Sequence, residues 1–132
     1  MDTAGNAGCQ SSAMVIRGIV VDNMTISNIW DILKKELLSS AMLGAILFVI
    51  NTLRIIILMP SVGFVTAFVV SLTILIIVTT ANIIGGLLPI MGHYFKIDPA
   101  SMSGPVLTTA CDAISLLTYF GLIRLFHMGG LI

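Results

Sequence analysis

Long apolar segments alternate with short polar ones along this chain. Three apolar segments exceed the roughly 20 residues that a helix needs to cross a lipid bilayer, and they are residues 37–59, 62–91 and 102–126. Pro60 separates the first two, because a proline cannot continue a helix without losing a backbone hydrogen bond. Gly85, Gly86 and Pro89 lie near the end of the middle segment and predict a bend or break in its helix.

The first segment, residues 4–21, has helical spacing but mixed chemistry. One predicted face carries Asn6, Gln10, Ala13 and Arg17, and the neighbouring face carries Gly5, Gly8, Cys9 and Ser12. A helix with two such faces is poorly matched to lipid. We therefore expect it to lie inside a bundle, with its small residues against another helix.

Residues 22–35 are the most polar stretch of the chain. Thr25 or Ser27 is suited to cap a short helix that runs through Trp30, because hydroxyl side chains accept hydrogen bonds from the free N–H groups of a first helical turn. This short helix is expected to lie at the membrane surface.

The composition supports a protein that lies in the bilayer. Of the 132 residues, 58% are hydrophobic and 9% are charged, and the mean hydropathy is +1.12, whereas soluble domains are about 25% charged. The predicted fold is an all-α, polytopic transmembrane helix bundle that forms one unit over residues 1–132. Six basic and six acidic residues give zero net charge, so no nucleic-acid partner is expected and the lipid bilayer is the main one.

The basic residues predict an orientation. If the segments alternate, four basic residues lie beside one surface and Arg54 and Arg124 lie towards the other. The four are Arg17, Lys34, Lys35 and Lys96. Cytoplasmic loops carry the excess of lysine and arginine, so the first surface is predicted to be cytoplasmic and the C-terminus to be outside.

Asp112 lies about ten residues into the last apolar segment, near the expected bilayer centre. A charge there costs roughly 2.5–3.5 kcal/mol on insertion scales, so it should face protein or water. It shares one predicted helical face with Ser101, Pro105, Thr108, Ser115 and Tyr119. This face is either the wall of a water-filled path or a buried contact in which Asp112 bonds to a neighbouring helix.

Polar residues in the other segments allow a similar choice. Glu36, Ser40, Gly44, Asn51 and Arg54 share one face, and Asn82, Gly86, Pro89 and His93 share another. Helix packing through small residues is the favoured interpretation of both. Asp98 is suited either to cap the last helix or to bind cations at its mouth, where Glu36 could join it.

The candidate ligands all offer oxygen, which suits Mg²⁺, Ca²⁺ or Mn²⁺. Mg²⁺ usually keeps several of its waters, so one carboxylate per chain in a wet pore is sufficient. Four helices make a thin wall for a pore, and a homodimer would place two copies of Asp112 on one axis. Two facing carboxylates repel each other unless a dication lies between them.

Several motifs carry a resemblance to a known family. Residues 4–11, Ala-Gly-Asn-Ala-Gly-Cys-Gln-Ser, match a glycine-rich GGNAGxQS pattern except at Ala4. Further matching positions are Val15 to Gly18, Lys35-Glu36, Asn82 to Pro89, Asp98-Pro99-Ala100, Pro105 to Thr109, Asp112 and Tyr119-Phe120. On these residues, the sequence resembles the membrane domain of the MgtE family of magnesium transporters.

The resemblance implies a dimeric, Mg²⁺-selective channel with five transmembrane helices per subunit, multi-pass in the bacterial plasma membrane and without enzymatic activity. It implies that Asp112 holds hydrated Mg²⁺ and that Gly5, Asn6 and Gly8 belong to a pore-lining helix. Pro105, Thr108 and Ser115 are expected to line the same pore, on the face that carries Asp112. Asp98 and Glu36 match acidic cytoplasmic positions that are linked in the family to gating by Mg²⁺.

Against the family pattern, the first transmembrane helix, half of the second and the cytoplasmic sensor domains are expected to be missing from this chain. One alternative is therefore a non-conducting membrane fragment or assembly subunit. Another is a channel for other divalent cations, Mn²⁺ or Co²⁺. An intramembrane protease would need a second catalytic aspartate at membrane depth, and the sequence offers none.

Overall fold

The computed structural model describes residues 2–21, 29–98 and 104–130, and within them it contains four α-helices. They are α1 (Asp2–Val21), α2 (Ile29–Leu58), α3 (Phe64–Tyr94) and α4 (Pro105–Met128). A short 3-10 turn, Pro60–Val62, joins α2 to α3. Gly63 follows this turn with φ +81°, a left-handed conformation that favours glycine. The predicted all-α bundle and the turn at Pro60 are confirmed.

The helix α3 is the centre of the bundle and contacts each of the other three. It runs parallel to α1, because Gly8 lies against Ala81 while Val15, further along α1, packs near Ile90. It runs antiparallel to α2, because Asn51 bonds to Ser71 while Glu36, near the start of α2, lies against the later part of α3.

These directions bring the end of α1, the start of α2 and the end of α3 together at one end of the bundle, where Val15, Ile32 and Ile90 form a buried cluster. Arg17, Lys34 and Lys35 lie at this end, and Lys96 follows directly after α3. The predicted shared surface for these basic residues is therefore present, and its assignment as cytoplasmic stays a prediction.

Three helices, α2, α3 and α4, are long and apolar enough to cross a membrane. Large apolar side chains cover the outside of α2, including Leu38, Met42, Ile46 and Leu53. Such a surface is stable only against lipid or another apolar surface. The predicted multi-pass membrane protein is confirmed on these helices.

The small residues of α1 lie against other helices, as the sequence predicts, and Gly8 lies against α3. A Cβ atom added to Gly8 would lie 2.9 Å from the Ala81 carbonyl oxygen, and one added to Gly85 would overlap the backbone of Gly8. The two helix backbones therefore touch directly, which is how small residues hold membrane helices together.

Of the predicted bend or break in the third segment, the break is wrong, because α3 is continuous through Pro89, and the bend stays a prediction. Gly85 and Gly86 allow neighbouring helices to approach α3 closely, and they do not interrupt α3 itself. Membrane helices tolerate an internal proline because neighbouring groups satisfy the freed carbonyl.

Two helix starts also differ from the prediction. The helix α2 begins at Ile29, so Trp30 belongs to α2 rather than to a separate surface helix, and the proposed caps Thr25 and Ser27 lie outside the described residues. The N-cap of α4 is Gly104, which forms no side-chain cap bond. Asp98 lies six positions before Gly104, and its capping role stays a prediction.

Candidate functional site

Asp112 lies on an exposed face of α4. It is seven positions after Pro105, the first residue of α4, or about 10 Å along the helix axis. The preceding residue, Cys111, packs in a buried cluster with Ile77 and Ala81, which flank the midpoint of α3. The carboxylate therefore lies level with the middle of the central helix, and its position at the bilayer centre stays a prediction.

A second exposed polar residue, Asn6, lies on α1 beside the contact between α1 and α4. A Cβ atom on Gly5 would lie 3.6 Å from the Thr108 methyl group, and one on Gly8 would lie 3.5 Å from the sulfur of Cys111. Asn6 follows Gly5 and Asp112 follows Cys111. The two exposed polar side chains thus flank one helix–helix contact.

The other predicted pore-lining residues are placed differently. Ser115 is only 1% exposed and donates a hydrogen bond to the Cys111 carbonyl at 2.6 Å. Gly5 and Gly8 are buried in helix contacts, and Thr108 is half-buried, with its hydroxyl 3.2 Å from the Pro105 carbonyl. The exposed members of the predicted set are Asn6, Pro105 and Asp112.

The polar stripes of α2 and α3 are helix contacts, as favoured from the sequence. The Asn51 side-chain amide donates to the Ser71 hydroxyl at 3.0 Å, and Ser71 donates to the Ala67 carbonyl at 2.8 Å. Ser40 is fully buried and bonds to the Leu37 carbonyl within its own helix. At the ends of the same stripes, Arg54 and His93 are exposed.

The two acidic residues proposed for the cytoplasmic side differ in their exposure. Glu36 is 8% exposed and lies among α1, α2 and α3, whereas Asp98 is exposed after the end of α3. Among the described residues, no three His, Cys, Asp or Glu side chains lie close enough together to hold one metal ion. Asp112, Asp98 and Glu36 thus do not form a single three-carboxylate cluster within the chain.

Sequence reasoning missed the surroundings of Asn82. This residue is 6% exposed, and its Oδ1 atom has no hydrogen-bond partner among the described residues. The Ser11 hydroxyl donates to the Asn82 main-chain carbonyl at 2.9 Å, which ties α1 to α3. An asparagine inside a largely apolar segment was the signal that could have indicated this contact. A buried amide needs hydrogen-bond partners from a neighbouring helix.

Three apolar helices and a fourth, α1, with an exposed polar face define a polytopic membrane protein whose last helix carries an exposed carboxylate, Asp112. The sequence model of a family described as "Divalent cation transporter", MgtE, matches residues 1–122. The chain belongs to the MgtE family of divalent cation transporters, which are transporters rather than enzymes.

Relatives that are named magnesium transporters agree with this assignment. The chain is 38% identical over 124 residues to the magnesium transporter MgtE of Bacillus subtilis, and the match covers 92% of the chain. It is 33% identical to the Enterococcus faecalis magnesium transporter MgtE and 28% identical to that of Thermus thermophilus, over 94% and 95% of the chain. The chain spans 27% of the length of each of these relatives.

Proposed function

We propose that this chain forms the transmembrane part of a transporter through which Mg²⁺ crosses the bilayer along a channel-like pore, with Asp112 binding the hydrated ion. The observation that carries the proposal is the exposed position of Asp112 at the depth of the midpoint of α3. A carboxylate facing lipid at that depth costs roughly 2.5–3.5 kcal/mol, so it is stable only where water or protein covers it.

The chemistry of the exposed groups suits Mg²⁺ as the transported ion. Mg²⁺ releases its waters reluctantly and is usually bound through one or two carboxylates with several waters retained. Asp112 accepts hydrogen bonds from such waters, and the side-chain oxygen of Asn6 offers the same chemistry on α1. The names of the relatives support Mg²⁺ as the cargo.

The exposed face of α1 supports a homodimer. Asn6, Gln10, Ala13 and Arg17 are all exposed on the single chain, and this face is too polar to lie against lipid. A second copy of the chain, packed so that α1 and α4 surround the pore, would cover the face with protein and water. Two Asp112 carboxylates would then face each other, and a dication between them removes their repulsion.

Two further candidate carboxylates, Asp98 and Glu36, are proposed to lie on the cytoplasmic side. Asp98 is exposed just beyond α3 and is suited to attract cations to the pore mouth, while Glu36 is buried among α1, α2 and α3. We propose that both contribute to cation binding at this side. The family resemblance links both positions to gating by intracellular Mg²⁺, and we propose that they take part in it.

Ion flux through reconstituted chains tests the proposal. Proteoliposomes that contain the wild-type chain and a Mg²⁺-sensitive dye should take up Mg²⁺, and Asp112→Asn should reduce the rate at least about tenfold, because a charge-assisted hydrogen bond contributes about 1.5–3 kcal/mol. The matched control is Asp31→Asn, which removes an exposed carboxylate near the start of α2 and should leave the rate unchanged.

Three results would contradict the proposal. A wild-type chain that passes no Mg²⁺ supports a non-conducting fragment or assembly subunit, and full flux in Asp112→Asn removes Asp112 from its proposed role. Uptake of Mn²⁺ or Co²⁺ that Mg²⁺ fails to inhibit would identify a channel for other divalent cations.

A further inference from the structure

The two cysteines of the sequence lie on different helices and meet at one contact. Cys9 belongs to α1 and Cys111 to α4, and both are thiols rather than halves of a disulfide. Cys111 is 2% exposed in the buried cluster that includes Ile77 and Ala81, and Cys9 is half-buried and packs against this cluster. The fold therefore brings together two sulfur atoms that are far apart in the sequence.

The backbone of α1 closely approaches the Cys111 sulfur. A Cβ atom on Gly8, the residue before Cys9, would lie 3.5 Å from the Cys111 Sγ atom. One on Gly5 would lie 3.6 Å from the Thr108 methyl group, and positions 5 and 9 share one face of a helix. The Cys9 thiol lies close enough to Cys111 for the two groups to interact electrostatically. Cys9 therefore belongs to the part of α1 that contacts α4.

The thiol pair adjoins the exposed polar surface that carries Asn6 and Asp112. Cys111 directly precedes Asp112, whose side chain is exposed. Cys9 follows the exposed Asn6 by three positions, a spacing that makes the two residues neighbours on the surface of α1. The Asp112 carboxylate attracts any cation through its charge, whether the cation prefers oxygen or sulfur ligands. A cation that reaches this carboxylate therefore also arrives beside the two thiols.

We infer that Cys9 and Cys111 form a two-thiolate site for a soft divalent cation of the Hg²⁺ class, and that its occupation blocks the path beside Asp112. Soft metals prefer thiolate sulfur, whereas Mg²⁺ prefers oxygen and passes the thiols by. As each sulfur bonds to the metal, its thiol releases one proton to water. One dication and two thiolates then form a neutral group, which suits the apolar cluster because burial of an uncompensated charge is very unfavourable.

Two ligands are sufficient for such a cation. Hg²⁺ commonly binds two sulfur atoms in a linear arrangement, and within the described part of the chain no three His, Cys, Asp or Glu side chains lie close enough together to form a larger site. Once one thiolate has bound the metal, the second thiol is already beside it, so the second bond forms at a high effective concentration. The pair should therefore retain the metal against a competing monothiol, whereas a single cysteine should lose it.

The test measures how firmly the purified chain in lipid nanodiscs retains Hg²⁺. The chain is loaded with one equivalent of HgCl₂ in excess Mg²⁺, so that oxygen sites are already occupied, and is then washed with increasing concentrations of the monothiol 2-mercaptoethanol. Bound mercury is counted by mass spectrometry. Wild type should keep the metal up to an at least about tenfold higher monothiol concentration than Cys9→Ser, which has one thiol left.

A matched control keeps the number of thiols and changes their position. Cys9→Ser combined with Ser39→Cys places the second thiol at an exposed position of α2, and it should retain Hg²⁺ no better than Cys9→Ser alone. The inference is overturned if wild type loses Hg²⁺ at the same monothiol concentration as Cys9→Ser, because the cysteines would then serve only as small packing residues. Retention by the control that equals wild type would overturn it as well. Cys9→Ala provides the single-thiol chain if Cys9→Ser does not fold.

Ion flux tests the block, which rests on the proposed function, whereas metal retention does not. In proteoliposomes, one equivalent of Hg²⁺ per chain should abolish Mg²⁺ uptake by wild type, and dithiothreitol should restore it by removing the metal. A chain with Cys9→Ser and Cys111→Ala should be insensitive to Hg²⁺. Uptake that depends on Asp112 but is unchanged by retained Hg²⁺ would overturn the block. If wild type takes up no Mg²⁺, the proposed function fails, and the retention experiment still decides whether the thiol site exists.

Discussion

The two faces of α1 show how one helix can meet two different surroundings. On one face Gly8, Ser11, Ser12 and Val15 are buried, and Gly8 touches the backbone of α3. On the other face Asn6, Gln10, Ala13 and Arg17 are all exposed. The exposed face also carries Met14 but is more polar than the outside of α2, so it is poorly suited to lipid.

Residue size and bonding, rather than polarity alone, distinguish the two faces. Serine and threonine hydroxyls can bond to carbonyls of their own helix, as Thr73 does to Val69 at 2.8 Å, and can therefore be buried in a contact. An ionised carboxylate cannot donate to a backbone carbonyl in this way. In this bundle, the buried hydroxyl residues mark helix contacts, and we propose that Asp112 and Asn6 mark a surface for water or a second chain.

The largest effect on stability is expected at the contact of α1 with α3. Gly85→Ala would place a methyl group on the backbone of Gly8, and neither backbone can move without separating the helices. Overpacking typically costs about 1–3 kcal/mol, and we expect a value at or above the upper end because the obstacle is backbone. The free energy of unfolding is measured by titrating the chain in mixed micelles with SDS.

Gly121 provides the matched control for this substitution. It lies in α4, is exposed, and a Cβ atom there would meet nothing within 4 Å. Gly121→Ala should stabilise the chain by about 0.5–1 kcal/mol, because alanine loses less conformational freedom in a helix. If Gly85→Ala were as harmless as Gly121→Ala, the close contact of α1 and α3 would not be a feature of the folded chain.

A smaller effect is expected at the polar contact of α2 with α3. Asn51→Leu removes the hydrogen bond to Ser71, whose own hydroxyl hydrogen remains bonded to the Ala67 carbonyl. Interhelical hydrogen bonds in a membrane protein average about 0.6 kcal/mol with a maximum near 1.7, so the same SDS titration should show a loss of about 1 kcal/mol.

Thr52→Val is the control for the loss at Asn51, since Thr52 bonds only within α2, to the Phe48 carbonyl. This substitution should change the free energy of unfolding by less than about 0.5 kcal/mol, the usual range for residues that make no contact between helices. Equal losses for the two variants would mean that the bond between Asn51 and Ser71 contributes nothing that is specific to the helix pair.

The sequence allowed much of the fold and of the helix contacts to be predicted. The spacing of small and polar residues predicted both faces of α1, and the stripe from Glu36 to Asn51 is buried as favoured. These predictions succeed because a 3.6-residue period fixes which residues share a face before any tertiary structure is known.

Features that depend on the partner helix could not be predicted. A glycine pair followed by Pro89 is compatible with a break or with a close contact, and only the position of Gly8 on α1 distinguishes them. Ser115 is buried, and the Oδ1 atom of Asn82 has no hydrogen-bond partner among the described residues. Both features likewise depend on which helix lies beside each residue. The start of α2 at Ile29 was missed because polar residues in a helical turn resemble a separate surface helix.

The smallest stability effect is expected at Asp112, and it separates the two interpretations of this residue. An aspartate that holds the bundle together by a buried bond should be costly to lose, since removing one partner of a buried charged pair typically costs about 3–5 kcal/mol. An exposed aspartate on a water-facing wall contributes almost nothing to the fold of one chain, so Asp112→Asn should change the free energy of unfolding by less than about 0.5 kcal/mol. Measured beside Gly85→Ala in the same micelles, a large loss at Asp112 would place it among the packing residues, whereas normal stability with reduced Mg²⁺ flux would place it on the conducting surface.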